Sequence, residues 1–341
     1  MKILVTGISG RIGANLASAL VKEGHEVRGL VWQQDKRPEK LEALDVELVE
    51  GSLVNPDDVN GVVEGAEVIC HLGAAFQGGG PFTHEDYFDI NVRGTFNMLE
   101  AAKRQGERLQ HFFFASTDAI YQKYLPGGIE KPIREDEMPV QPVGWYSLSK
   151  QLGENLCLGY FRSHGVPITI FRFAFVVAAD SILNFDEFKL SHWLKVYEGA
   201  KGEPASKTRD ELNRLWNGEE QLVIARDENG RTHKKHILDV RDIVAGFISA
   251  TGKEQAAGET FQLAAPTAFT WEKAVPYLSN KLGLEYADVQ MAGQIPTFYE
   301  FDLSKTRSLI GFEPQFDIFR MIDTAIDYRN GIDTGVIPAN G

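Results

Sequence analysis

Cysteine is nearly absent: Cys70 and Cys157 are the only two in 341 residues. Two thiols cannot build a disulfide framework or a four-cysteine metal centre, so both read as core filler and no metal site is expected. No run of about 18 apolar residues occurs, which leaves nothing to span a membrane as a helix. A basic leader followed by a cleavable apolar stretch is also missing, and a soluble, cytoplasmic protein is expected. Cations are in deficit, with 35 Lys and Arg against 48 Asp and Glu and a net charge of −13. So acidic a chain gains little from counterion release, and no nucleic-acid partner is expected. Repeats and low-complexity segments are lacking as well. The remaining composition, 43% hydrophobic and 24% charged, excludes a disordered or fibrous chain.

What is present is an alternation of short apolar runs and amphipathic segments. Residues 2–6, 26–32, 46–50, 67–72, 111–116 and 168–173 read as strands. They are continuously apolar, as strands covered on both faces are. Residues 11–23 read as a helix, with Ile12, Leu16, Ala19 and Leu20 at helical spacing and Gly24 as its stop. Strand–helix–strand order predicts an α/β fold, a Rossmann-type doubly wound parallel sheet. The rhythm changes after about residue 174. The stretch 180–220 is polar, helix-prone and studded with aromatics, either a lid or a surface excursion. Short strands are expected at 222–224 and 236–240, and helices at 241–251, 271–284 and 303–310. This divides the chain into a dinucleotide-binding domain, 1–174, and a mostly substrate-binding lobe, 175–341, with 222–251 returning toward the first. Gly78-Gly79-Gly80-Pro81 is the most flexible loop candidate.

Gly7, Gly10 and Gly13 lie between the first strand and the first helix, in a G-x-x-G-x-x-G spacing. The first allows a tight turn, the second a close backbone approach to pyrophosphate, and the third close helix–strand packing. The helix N-terminus offers free N–H groups to the phosphates. At the end of the second strand an acidic residue would hold the adenosine ribose and favour NAD. Val31 and Trp32 stand there instead. Lys36 and Arg37 either neutralise a 2′-phosphate or sit in solvent, and Asp35 is the alternative reader toward NAD; the balance leans to NADP. Ser52, followed by Leu53 after the third strand, is placed to bond the adenine amino group.

Tyr146 and Lys150 form a Y-x-x-x-K, which puts phenol and ammonium on one helix face. A free Tyr, with a pKa near 10, is a poor base at neutral pH. A lysine cation and an oxidised nicotinamide both favour the phenolate, so Tyr146 can exchange a proton with a substrate hydroxyl. Tyr277 and Lys281 match the same pattern, but on a helix remote from the strand ends. Ser116 and Thr117 close the fifth strand; one is expected to bond both substrate oxygen and phenol.

With TGISGRIG at 6–13, VICHLGAA at 68–75, NVRGTFNMLEAA at 91–102, FFFASTDAIY at 112–121, YSLSK at 146–150, DVRDIV at 239–244 and DLSKTRSLIGFEP at 302–314, the chain resembles the extended short-chain dehydrogenase/reductase superfamily, in particular its NAD-dependent epimerase/dehydratase family. The likeness covers nearly the whole chain. It implies Thr117, four residues before Tyr121, as the catalytic hydroxyl beside Tyr146 and Lys150. It implies that Arg11 and Ile12 pack on the pyrophosphate, that Leu72, Gly73, Ala74 and Ala75 contact the cofactor, and that Asn91 ties its helix to the sheet. Ser52 replaces the family's acidic residue on the adenine side. A homodimer through roughly 85–104 and 146–163 is implied too.

The lobe departs from nucleotide-sugar enzymes of that family, which usually hold a diphosphate with two arginines and an asparagine. Phe175 stands at the Asn position, Lys235 at the first Arg, and Ala292 at the second. Lysine lacks the forked donors of arginine. Asp118 is expected either to meet a substrate hydroxyl or to cap a turn. The expected function is an NAD(P)-dependent oxidoreductase acting on a small polyhydroxylated substrate. The alternatives are a nucleotide-sugar epimerase, with no net redox, or a dehydratase, which Ala119 after Asp118 argues against. A non-catalytic sensor of NADP(H) is the remaining class.

Overall fold

The apolar runs pair edge to edge into one parallel sheet. The computed structural model describes residues 1–76 and 80–339. The first part of the chain runs β1 (Lys2–Thr6), α1 (Arg11–Lys22), β2 (Glu26–Val31), β3 (Val46–Glu50), α2 (Pro56–Val63), β4 (Val68–His71) and α3 (His84–Asp86). A wide π-type turn, Tyr87–Arg93, leads into α4 (Gly94–Arg104), then β5 (His111–Thr117), α5 (Trp145–His164) and β6 (Ile168–Phe173). The second part runs β7 (Phe175–Val177), α6 (Leu190–Tyr197), α7 (Ala205–Leu215), β8 (Leu222–Arg226), β9 (Lys234–Lys235), β10 (Ile237–Asp239) and α8 (Val240–Ala250). It closes with β11 (Thr260–Leu263), β12 (Phe269–Thr270), α9 (Trp271–Leu282), β13 (Tyr286–Gln290), α10 (Ser304–Ile310) and α11 (Ile318–Arg329). Gly78 and Gly79 of the loop expected to be flexible lie outside the described residues.

The seven-stranded sheet has the order β11-β6-β5-β4-β1-β2-β3. All its pairings are parallel. Strand periodicity sorts its side chains to two faces. Ile3, Val5, Phe113, Ala115, Phe171 and Phe173 point into a core shared with α1 and α8. Leu4, Phe112, Phe114, Ile168 and Ile170 point into a core shared with α2, α4 and α5. Cys70 and Cys157 are buried and free, one in each core. Full burial of one such large apolar side chain stabilises the fold by about 1.5–3 kcal/mol. The strand order reverses between β1 and β4. There the carboxyl ends leave the crevice in which doubly wound sheets bind ligands.

A third core gathers Val177, Leu183, Trp193, Tyr197, Leu212, Ile224, Trp271 and Ile322 from the later elements. Around it lie three two-stranded pairs, β10-β7, β12-β9 and β13-β8. No strand occurs between 180 and 220, as expected; α6 and α7 and two short helical turns fill it. Within 222–251, α8 packs on the sheet side against α1, whereas β8 pairs β13 in the third core.

Candidate active site

The turn after β1 is shaped by its glycines. Gly7 adopts φ +67°, and a Cβ there would come within 2.9 Å of Gly73 Cα. A Cβ on Gly13 would collide with the Gly7 carbonyl. Gly10 N–H donates to Gly7 O at 2.9 Å, closing the turn. Thr6 Oγ1 accepts from Gly73 N–H at 2.9 Å and meets His71 at 2.8 Å, which joins this turn to the Leu72–Ala75 loop after β4. Two bare backbones thus face each other at a helix N-terminus, a cradle that fits a dinucleotide pyrophosphate. Ile12 is half-buried on the first core, and the Arg11 guanidinium donates to the Val176 carbonyl at 2.5 Å.

At the adenosine end the acidic residue is Asp35. It accepts a hydrogen bond from Ser9 of the glycine turn and a forked pair from Arg37 at 2.8 Å each. Although burial works to raise it, these bonds hold the Asp35 carboxyl down to about 2. Arg37 is therefore committed to a neighbour two residues away, and Lys36 is exposed. Val31 is buried and Trp32 exposed. Ser52 N–H donates to Asp58 at 2.9 Å, and Asn97 donates to the Leu53 carbonyl at 2.9 Å, so these two positions shape the loop after β3.

The catalytic candidates meet at the carboxyl end of β5. Thr117 ends that strand, nearly buried; its hydroxyl accepts from Ala119 N–H at 3.2 Å and lies near enough to the Tyr146 phenol to favour its ionised form. Tyr146 opens α5 and is boxed by Phe76 edge-on at 5.3 Å and by Tyr87 at 6.4 Å. Lys150, one turn later, is buried with its ammonium 4.6 Å from the Phe114 ring centroid. Burial lowers the Lys150 ammonium to about 8, against the pull of Cys157 and Glu154. Burial also raises the Tyr146 phenol above its ordinary value, more than the Thr117 hydrogen bond lowers it; Asp118 and Tyr87 add to the rise. The expectation of a lowered phenol includes an oxidised nicotinamide; in the protein alone the direction is upward, set by burial. Ser116 Oγ is buried without a partner among the described residues, an orphan polar group beside this centre.

Asn91 fixes the back wall. Its side chain accepts from Ala75 N–H at 2.7 Å and donates to Ala75 O at 3.0 Å and to Ser149 Oγ at 2.9 Å. Tyr121 is a structural partner: its oxygen accepts from Arg172 at 2.7 Å, and Arg172 forks onto Glu154 at 2.9 and 2.7 Å.

On the substrate side, Asp118 forms a buried ion pair with Lys123, whose ammonium also lies 5.0 Å from the Tyr299 ring centroid. Lys235 pairs with Glu187 and lies 5.3 Å from the Phe175 ring and 4.8 Å from the Phe185 ring. Phe175 and Lys235 thus come together, and the ammonium is paired with a carboxylate. Lys123, Glu187 and Tyr299 were not foreseen. They come from a loop, the polar stretch and the late chain, and no spacing in the sequence links them. The second Tyr–Lys pair is occupied elsewhere: Tyr277 donates to Asp323 at 2.8 Å and Lys281 pairs with it at 2.6 Å, between α9 and α11. No group of three or more His, Cys, Asp or Glu able to hold a metal occurs among the described residues. No helix among them is long and apolar enough to cross a membrane.

A Rossmann sheet with a glycine cradle and a Thr–Tyr–Lys set defines a nicotinamide-dinucleotide enzyme. The model of the NAD-dependent epimerase/dehydratase family matches residues 3–264, and the chain belongs to that family. A short-chain dehydrogenase/reductase superfamily protein from Agrobacterium tumefaciens, solved with bound NAD, superposes with a TM-score of 0.81 at 31% identity, over 97% of this chain and 98% of that one. UDP-glucuronic acid 4-epimerase from Bacillus cereus, in complex with NAD, shares the fold with a TM-score of 0.70 at 20% identity, over 97% and 99%. In sequence, the uncharacterized UDP-glucose epimerase YtcB of Bacillus subtilis (strain 168) is 25% identical over 98% of this chain and all of its own length. The dTDP-glucose 4,6-dehydratase of Mycobacterium tuberculosis (strain ATCC 25618 / H37Rv) is 33% identical over 50% of this chain and 52% of that one. These structures carry NAD, and the lean toward NADP finds no support.

Proposed function

We propose that this chain is an NAD-dependent oxidoreductase of the extended short-chain type. It moves a hydride between nicotinamide and a hydroxyl or keto carbon of a small, sugar-like polyhydroxylated substrate. The observation that carries this reading is the neutralised lobe. Lys235 is paired with Glu187 between two phenylalanine rings, where a diphosphate would want a free fork of donors. NAD is preferred because the Asp35 carboxylate, bonded to the glycine turn, repels a 2′-phosphate and takes Arg37 out of reach.

NAD, when bound, supplies the hydride acceptor. The protein does the rest. Gly7, Gly13 and Gly73 leave room for the pyrophosphate. Thr117 orients the substrate oxygen toward Tyr146. The Tyr146 phenol, shielded from water, holds a proton until a positive charge nearby favours its release; it then takes the proton of the substrate hydroxyl or returns one. Lys150, cationic below about pH 8, supplies part of that charge. Asp118 is paired with Lys123 and followed by Ala119, which sets the chain apart from dehydration.

A nucleotide-sugar epimerase, with transient oxidation and no net redox, is the second reading, favoured by the activities named for the relatives. The reading takes the protein as a cytoplasmic homodimer, paired through α4 and α5, where Phe96 is exposed and packs edge-on against Tyr160. The deciding experiment incubates the purified chain and NAD with sugars, sugar acids, lactones and nucleotide-sugars. Net NADH from a small sugar or sugar acid supports the oxidoreductase; turnover of a nucleotide-sugar without NADH replaces it with the epimerase. Tyr146→Phe is expected to cost about 10²–10⁴ in turnover and to spare NAD binding.

A further inference from the structure

After α11 the described chain continues to residue 339. Its last described residues turn back across α1 to the adenosine end of the cofactor cradle. Ile337 and Asn15 form a reciprocal pair: Ile337 N–H donates to Asn15 Oδ1, and Asn15 Nδ2 donates to Ile337 O, both at 2.8 Å. The same Nδ2 bonds the Arg11 carbonyl at 2.8 Å, so the tail is stitched to the helix turn that follows the phosphate glycines. The Ile337 side chain packs on the core of that face. Gly335 lines one surface pocket together with Ser18 and Lys22 of α1 and Arg241 of α8. Directly after Ile337, the carbonyls of Pro338 and Ala339 accept from Lys40 Nζ at 3.1 and 2.8 Å.

Lys40 belongs to the short 3-10 turn Arg37–Leu41, anchored by buried Leu41 just beyond Asp35. That turn follows the strand end where the adenosine ribose of a dinucleotide is expected, and the Lys40 ammonium is close enough to Arg37, Asp35 and Arg11 to feel their charges. Each of these cations is engaged: Arg37 by Asp35, Arg11 by the Val176 carbonyl, Lys40 by the tail. Two carbonyl oxygens satisfy an ammonium but carry no net charge. An unlatched Lys40 therefore has every reason to seek an anion, and the one a coenzyme can bring to this end is the 2′-phosphate.

We propose that Lys40 is a coenzyme-discriminating residue and that the C-terminal tail keeps it NAD-selective by occupying its ammonium. This rests on the NAD reading above. Its test measures dissociation constants for NAD and NADP by calorimetry, for the full chain, a chain ending at Ile332, and full-length Asn15→Ala. Thermal unfolding confirms that each variant is folded; Asn15→Ala carries the test should the shortened chain not fold. Unlatching is expected to narrow the NAD-over-NADP preference by about tenfold, the worth of one charge-assisted contact. Adding Lys40→Met to the unlatched chain is expected to restore the preference. A preference that does not move in a folded, unlatched variant overturns the inference alone. So does one that moves and stays moved after Lys40→Met. A full-length chain that binds neither coenzyme, or prefers NADP, overturns the NAD reading and this inference with it.

Discussion

Lys123 and Asp118 show how much one unforeseen residue decides. Their side chains are 6% and 9% exposed, so each charge depends on the other. Removing one partner of a buried pair leaves an unpaired buried charge and costs about 3–5 kcal/mol. Lys123→Met is expected to destabilise the protein on that scale in urea unfolding, and Asp118→Asn in the same chain to recover most of the loss. A double variant no more stable than the single would sink the pairing argument. Thr117, Tyr146 and Lys150 were legible because their spacing is local: a strand end and one helical turn. Asp118 was legible only as a hydroxyl contact or a turn cap, because its partner depends on how the chain after Tyr121 folds back. Lys235 was read only as the residue at the first arginine position, without its partner, since Glu187 lies 48 residues away on the polar stretch.

Helix α5 sets the catalytic geometry, and its glycines test how. Gly153 lies against β5: a Cβ there would come within 2.5 Å of Phe114 Cζ, the ring that Lys150 overlies. Gly159, on the same helix, meets nothing within 4 Å. Gly159→Ala is expected to stabilise the protein by about 0.5–1 kcal/mol through helix propensity alone. Gly153→Ala is expected to push α5 off the strand, destabilising it and lowering turnover more than NAD affinity. Paired thermal unfolding and kinetics check both, and equal effects of the two would contradict the packing argument. Strands β1, β4, β5 and β6 were legible because burial on both faces demands apolar runs, whereas the edge strand β3, VELVE, has no buried residue and shows itself only by alternation. β13 was not: YADVQ has one buried residue, Val289, and its pairing with β8 is a tertiary event. β11, TFQL, is short and carries Gln262, whose amide serves the Ile133 carbonyl. Helix α11 does show helical spacing, at Ile318, Met321, Ile322 and Ala325, a signal that reading 303–310 as the final helix passes over.

At the scale of the molecule, four buried histidines tie stability to pH. Burial lowers His71 to about 3 and His111, His233 and His236 to about 4. His236 meets Ala265 O through Nε2 and accepts from Phe301 N–H at Nδ1, which only a neutral ring can do. The unfolded chain binds protons near pH 6.5 and the folded one does not, so the contribution is present above 6.5 and is lost as pH falls toward 4. Unfolding free energy is expected to drop by on the order of 4 kcal/mol between pH 7 and 5.5, before most carboxylates titrate. Denaturant titrations at both values check this, and His236→Asn is expected to flatten the slope. The proposed homodimer is the other test at this scale: the unaltered chain is expected to sediment as a dimer and Phe96→Glu as a monomer in analytical ultracentrifugation, and a monomeric unaltered chain or an unchanged variant mass would overturn pairing through α4.

Asn91 reaches two walls of the cofactor slot at once, the Ala75 loop and the Ser149 turn of α5. That makes a rigid bracket of them: neither jaw can shift without dragging the other. Phe175, 43% exposed, belongs to neither jaw; it packs on Phe185 and Lys235 of the later chain. Breadth of substrate choice can therefore drift in that stretch while alignment of the reacting atoms stays put in the vice.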